Sequence, residues 1–299
     1  MTTLGFDIGG TFVKVGRLSG DGMIEEESKF ETSRSGPDAL VDEIEKAASR
    51  FGSDLAIGVA CAGIIRDGVV VTSPNLPGWT HVDLGQKLRA AVGRPVAVLN
   101  DANAFTVAEV QCGAAQGVDH VVGLAIGTGV GGGIVLGGKI WTGRHGYAGE
   151  LGHVILDLGG PKCSCGNRGC LEALIGTSGI LRRYCEERES RGMEPDEDVR
   201  PVDVYERAEQ GDAAAVATWE HIGEWLGLGL ASFTHILDPD LFLVGGGISA
   251  AGERLLAPAR RALHGNTLLP ESEVPEVRPA ALGNSAGWIG AAVAARGAG

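Results

Sequence analysis

The sequence predicts an α/β fold. Three observations predict it: apolar β-branched runs alternate with helix-period patterns, a strand–glycine turn–strand unit occurs twice, and a long apolar-striped helix leads straight into a buried strand. Residues 3–18 read as strand, turn, strand, because "LGFDI" and "FVKVG" flank "GGT". Helical spacing predicts helices near 37–51, 82–92 and 102–112, with apolar strands at 55–60 and 96–99 between them. Paired strands are expected over 120–141. From Asp212 to Leu237, apolar residues recur every three or four positions, at Val216, Trp219, Ile222, Leu226, Leu230, Phe233 and Leu237. One long helix with a core-facing stripe is expected there, stopped by "DPD" at 238–240. "LFLV" then reads as a buried strand running into Gly245, Gly246 and Gly247.

The two copies of the unit superpose without a gap. "LGFDIGGTFVKVG" from Leu4 and "VGLAIGTGVGGGI" from Val122 match Gly5 with Gly123, Ile8 with Ile126 and Gly9 with Gly127. Two copies imply two similar domains with a cleft between them.

Composition limits the partners. The 299 residues are 44% hydrophobic and 21% charged, enough for a packed core in a soluble globular protein. A net charge of −13 argues against a nucleic-acid surface or an anionic membrane, both of which are bound by basic patches. "MTTLGFDIGG" has no basic region ahead of an apolar run, so no secretion signal is expected and a cytoplasmic location is. Residues 121–138 carry no charge over a near-membrane length, yet eight of these eighteen are glycine. Two short strands joined by a turn fit better than a spanning helix.

The glycines point to phosphate. A turn such as "DIGGT" offers consecutive backbone N–H groups with no side chain in the way. Thr11 adds a hydroxyl and Lys14 a positive charge. Two further matches are rejected on context. Gly127, Gly129 and Gly132 satisfy GxGxxG, but "IVLGGKI" after them reads as a strand where the fingerprint needs a helix. Gly133, Gly138 and Lys139 nearly make a P-loop, but Ile140 stands where Ser or Thr is required.

Cys163, Cys165 and Cys170 cluster downstream of His153. Three thiolates and one imidazole make a closed tetrahedral set that suits structural zinc. One residue between Cys163 and Cys165 is not the thioredoxin spacing, so zinc is expected over a redox pair or free thiols. Disulfides are rare in a reducing compartment. Cys61, Cys112 and Cys185 are isolated and expected to be inert. Glu150 precedes His153 by three residues and Glu172 follows the last cysteine. A metal on one ring nitrogen of His153 leaves the other to face a ligand. Two carboxylates and an imidazole suit a polyhydroxyl compound.

"DIGGTFVK", "LNDANAF", "GLAIGTGVGGGIVLGGKI", "GYAGELGH", "CSCGNRGCLE" and "LVGGGI" together resemble the ROK family (repressor, open reading frame, kinase), and most of all its bacterial glucokinases. The resemblance implies an actin-like ATPase (ribonuclease H-like) α/β fold. Its domains would be 1–115 with a returning C-terminal helix within 285–299, and 116–284 carrying the zinc motif. It implies ATP-dependent phosphorylation of glucose or another hexose at the primary hydroxyl, in a homodimer or homotetramer. Closure over the sugar is also expected, because water competes as a nucleophile. Asp101 matches the general base. Asn100, Asp101, Glu150, His153, Glu172, Gly63 and Asn75 match sugar ligands, and His153, Cys163, Cys165 and Cys170 match zinc ligands. Asp7, Gly9, Gly10, Thr11, Lys14, Gly127, Thr128 and Gly129 match the phosphate-binding set, and Gly245 and Gly246 the nucleoside turn. Asp7, placed in the first glycine turn, is expected to hold Mg²⁺ with ATP, directly or through water.

The chemistry of Asp101 fits that role. It follows the strand "VAVL", and ligands of open α/β sheets collect at strand C-terminal ends. The competing reading of "ND" is a cap for the helix beginning at Ala102. The family's Ala-Ser-Gly run after the glutamate is replaced by Ile175, Gly176 and Thr177, which leaves the choice among glucose, mannose, fructose and N-acetylated hexosamines open. The related repressors would carry a DNA-binding segment ahead of the first strand, which begins near residue 3.

Overall fold

Apolar runs become buried strands wherever helices cover both faces of a sheet. The computed structural model describes residues 1–52, 54–73, 76, 78–196 and 198–297. Its first elements are β1 (Thr3–Ile8), β2 (Phe12–Leu18), β3 (Ile24–Glu31), α1 (Pro37–Phe51), β4 (Ala56–Cys61), β5 (Ile64–Arg66), β6 (Val69–Thr72) and β7 (Thr80–Asp83). Next come α2 (Leu84–Val92), β8 (Val96–Asn100), α3 (Asp101–Cys112), β9 (Val121–Ile126), β10 (Val130–Leu136) and β11 (Lys139–Ile140). The remainder holds α4 (Leu171–Ile175), α5 (Thr177–Ser190), α6 (Pro201–Glu209), α7 (Ala213–Leu237), β12 (Leu241–Gly245), α8 (Glu253–Gly265), β13 (Glu276–Pro279) and α9 (Ala286–Ala295).

Two five-stranded sheets share one order, β3–β2–β1–β4–β8 and β11–β10–β9–β12–β13. In each, a parallel core meets an antiparallel hairpin: β1 runs parallel to β4 and antiparallel to β2, and β9 runs parallel to β12. The internal repeat of the sequence is therefore a repeat of sheet topology. Residues 121–138 form strands, and no described helix is long and apolar enough to cross a membrane. β10 after Gly129 removes the dinucleotide fingerprint, and Gly138–Lys139 lies in the β10–β11 hairpin.

The described chain forms two compact units, 1–119 with 133–149 and 281–299, and 120–132 with 150–280. The resemblance implies boundaries at 115/116 and 284/285. Residues 133–149 group with the N-terminal half because their backbone lies tight on it. A Cβ on Gly133 would fall 2.9 Å from Ala102 O, and one on Gly146 would fall 2.3 Å from Ile65 O.

In the first unit, α9 packs on β1, β4 and α3. Glycine permits this approach, since a Cβ on Gly58 would sit 1.7 Å from Ala291 O and one on Gly5 1.9 Å from Trp288 O. Gly58→Ala is expected to destabilise by about 3 kcal/mol, the upper end for overpacking, and to lower the urea midpoint. An unchanged midpoint would contradict this packing. Glu109, fully buried, anchors the start of the returning segment by accepting from Ala114 N, Ala281 N and Leu282 N at 2.8–2.9 Å.

In the second unit, α7 begins after Asp212, whose side chain accepts from Ala215 N, and ends at left-handed Asp238. Trp219, Ile222, Leu226, Leu230 and Phe233 are buried as their spacing predicts, but the stripe's ends, Val216 and Leu237, are not. At the termini of a helix the neighbouring elements no longer cover it.

Several elements lie outside those expected from the sequence. β3, "IEEESKFE", is an edge strand with seven of its eight residues exposed, so alternation is missing. Residues 82–83, expected as helix, end β7, which pairs with β6. The short β5–β7 sheet, α6, α8 and β13 likewise lie outside the expected elements.

Candidate active site

In the first unit the site is built where β1, β4 and β8 end. Asp101 is the first residue of α3, and Asn100 is its N-cap, accepting from Asn103 N at 3.0 Å. The cap and the candidate base are thus adjacent residues. The Asp101 Oδ1 accepts from Ala102 N at 3.0 Å and from the Asn100 amide at 3.1 Å. That amide also donates to Gly63 O at 3.0 Å. Gly63 sits at φ 114°, and a Cβ there would lie 2.1 Å from Thr72 O, so only glycine holds this carbonyl in place. Asn75 lies outside the described residues.

Asp7 is the penultimate residue of β1 rather than part of the turn. Burial raises its carboxyl to about 6, opposed by Lys14 and assisted by Asp101. Burial also raises Asp101, against the hydrogen bonds that favour its charge. The two carboxylates therefore sense each other in a poorly hydrated place, which favours a cation or a transferable proton. Lys14 Nζ stands 3.9 Å from Asp7 and donates to Asn284 O at 2.8 Å. Cys61, buried beside both acids, is pushed up to about 12 by burial and their charge, which makes it inert.

The first turn is closed by Gly9 N donating to Phe12 O at 3.1 Å, and Thr11 is exposed. In the second unit the equivalent turn is closed by Gly127 N donating to Gly129 O at 2.8 Å. The first glycine of each turn therefore spends its N–H on the turn itself. The amides of Gly10, Thr11, Thr128 and Gly129 are the candidates for phosphate. Gly246, at φ 85°, lies against the Ile126 backbone, which brings the Gly245–Gly246 turn beside the end of β9.

The second unit also holds the cysteine cluster. His153, Cys163, Cys165 and Cys170 bring one ligand atom each to within 4.8 Å of one another. Cys165 Sγ–Cys170 Sγ and Cys163 Sγ–His153 Nδ1 are both 3.6 Å. Ligands about 2.3 Å from a tetrahedral ion stand about 3.7 Å apart, so the set fits a metal and is too wide for a disulfide. Gly169, at φ 68°, lets the loop close, since a Cβ there would meet Asp157 O at 1.5 Å. Burial and the neighbouring thiols push Cys170 up to about 12, whereas the Asn167 N–H holds Cys165 below the usual thiol range. Three thiols this close lose their protons together only when a cation compensates.

The cluster joins the acids. His153 Nε2 faces Glu150 Oε2 at 3.8 Å, so its two ring nitrogens divide between the thiol and the carboxylate. Glu172 ties the cysteine loop to the start of β10: Oε1 accepts from Ser164 at 2.8 Å and Oε2 from Val130 N at 3.1 Å. Spacing shows none of this last link, because Val130 is 42 residues from Glu172.

The profile described as ROK family matches residues 3–298. A glucokinase of Thermotoga maritima is 35% identical over 302 residues, 97% of this chain and 95% of that protein. An N-acetyl-D-glucosamine kinase of Photobacterium profundum is 33% identical over 307 residues, 96% and 97% of the two chains. The crystal structure of a ROK family glucokinase from Streptomyces griseus in complex with glucose and AMPPNP superposes with a TM-score of 0.79 at 35% identity, covering 99% of each chain.

Proposed function

The chain belongs to the ROK family, and on that premise we propose that it transfers the γ-phosphoryl group of ATP to the 6-hydroxyl of glucose. It is a hexose kinase of the glucokinase type with the α/β fold of the actin-like ATPases. We take its two units as the two actin-like domains, and its assembly as a homodimer or homotetramer.

The observation that carries the reading is the half-buried Asp101 carboxylate, held through Oδ1 by Ala102 N–H and the Asn100 amide. In our assignment Oδ2 takes the hydroxyl proton as the sugar oxygen attacks phosphorus. Asn100, Gly63, Asn75, Glu150, His153 and Glu172 bind the sugar and aim that hydroxyl. The turns at 9–11 and 127–129 receive the phosphates, Lys14 adds charge, and Gly245–Gly246 lie at the nucleoside. Asp7 would hold Mg²⁺ directly or through water, and that ion would neutralise phosphate charge. His153, Cys163, Cys165 and Cys170 would hold zinc, which would fix the imidazole that faces the sugar.

A coupled ADP-release assay over a panel of hexoses tests the proposal. Glucose is expected to give the highest kcat/KM, and absence of hexose-dependent ADP release overturns the reading. The Ile175–Gly176–Thr177 departure leaves the choice of hexose open, and the N-acetyl-D-glucosamine kinase relative makes a hexosamine the second reading, which the same panel would reveal.

A further inference from the structure

The two glycine turns share a support that comes from outside the repeat. Gly9 and Gly127 occupy equivalent positions in the two copies. The carbonyl oxygen of each accepts a threonine hydroxyl: Thr32 Oγ1 donates to Gly9 O at 2.7 Å, and Thr177 Oγ1 to Gly127 O at 3.2 Å. The threonines lie 23 residues after Gly9 and 50 after Gly127, so they are not equivalent in sequence. Thr32 follows the edge strand β3, is buried, and also donates its N–H to Thr11 O at 2.9 Å. Thr177 opens α5, and its N–H donates to the same Gly127 O at 3.1 Å.

We propose that Thr32 and Thr177 are paired positioning residues that orient the phosphate-binding amides of the two turns. A trans peptide is planar, with its C=O and the next N–H pointing in opposite directions. Fixing the Gly9 carbonyl therefore aims the Gly10 N–H, and fixing the Gly127 carbonyl aims the Thr128 N–H. The inference rests on the phosphate role assigned above to these turns. Thr177 belongs to the Ile175–Gly176–Thr177 run that replaces Ala-Ser-Gly in the resembled glucokinases, and a glycine at that position has no hydroxyl. The departure thus adds a donor behind a phosphate turn.

The test is MgATP binding by titration calorimetry without sugar, with KM for ATP and for glucose measured alongside. Thr32→Val is expected to weaken MgATP binding about fivefold, the loss of one neutral hydrogen bond. Thr177→Val is expected to weaken it only about twofold, because the Thr177 N–H stays on the same carbonyl. Thr32→Ser and Thr177→Ser should bind MgATP like the parent, and glucose KM should not move in the Thr32 variants. Valine variants that bind MgATP like the parent, or serine variants no better than valine, overturn the proposal. If Thr32→Val does not fold, the Thr177 pair carries the same comparison. A parent that binds MgATP but phosphorylates no hexose would sink the kinase reading while leaving this test in force. A parent that binds no MgATP would overturn both.

Discussion

Asp101→Asn is expected to lower hexose-dependent ADP release by about 10²–10⁴-fold, the usual contribution of a general base, while MgATP binding persists. The substitution is nearly isosteric. The asparagine oxygen can still accept from Ala102 N–H and the Asn100 amide, the two donors now on Oδ1, but an amide does not take up a proton at neutral pH. Turnover within tenfold of the parent would rule out Asp101 as the base. The pH profile provides a second check. Burial raises the Asp101 carboxyl, so activity needs its ionised form and is lost as pH falls through a value above the ordinary carboxylate range. Asp7, raised to about 6, should add a loss of cation affinity below about that pH. Stability runs the other way. A carboxyl whose folded pKa is raised favours the fold in its neutral form, so its contribution declines as pH rises through that value. Asp101→Asn should therefore be no less stable than the parent at pH 7.5, and a drop in its melting temperature there would contradict the burial argument.

Removing the cluster's metal is the second large effect expected. The purified chain should carry one equivalent of zinc, and Cys170→Ser should lose it. The fully buried Cys170 faces Cys165, and His153 Nδ1 faces Cys163 while Nε2 faces Glu150. Without the ion nothing fixes the ring between them, and the loop that carries the Glu172 partner Ser164 loosens. The KM for hexose should rise at least about tenfold, by analogy with the cost of disturbing a metal's supporting partners, and the melting temperature should fall. Cys185→Ser, outside the cluster, serves as the control and should keep the metal. Metal-free protein with an unchanged hexose KM would overturn the assignment.

Much of this architecture is written in local pattern. The repeat at Leu4 and Val122 is a repeat of strand, turn and strand, and the periodicity from Asp212 to Leu237 is one helix with its core stripe. The cysteine spacing also closes as expected, because its ligands lie within one local segment, 153–170, and need little long-range folding. The edge strand β3 escaped. β3 buries almost nothing, so the backbone hydrogen bonds to β2 hold it, and hydrogen bonding leaves no periodic trace in side chains.

By itself the sequence determined which residues carry charge, sulfur or no side chain at all, and which runs must be strands or helices, since these follow from covalent chemistry and from burial with a fixed period. Only the tertiary structure decided which distant groups meet: Asn100 on Gly63, Glu172 on Val130, Thr32 on Gly9 and Thr177 on Gly127. The physical reason is that a hydrogen bond depends on position to within tenths of an ångström. That position is set by how the sheets and helices pack, and no spacing along the chain encodes it.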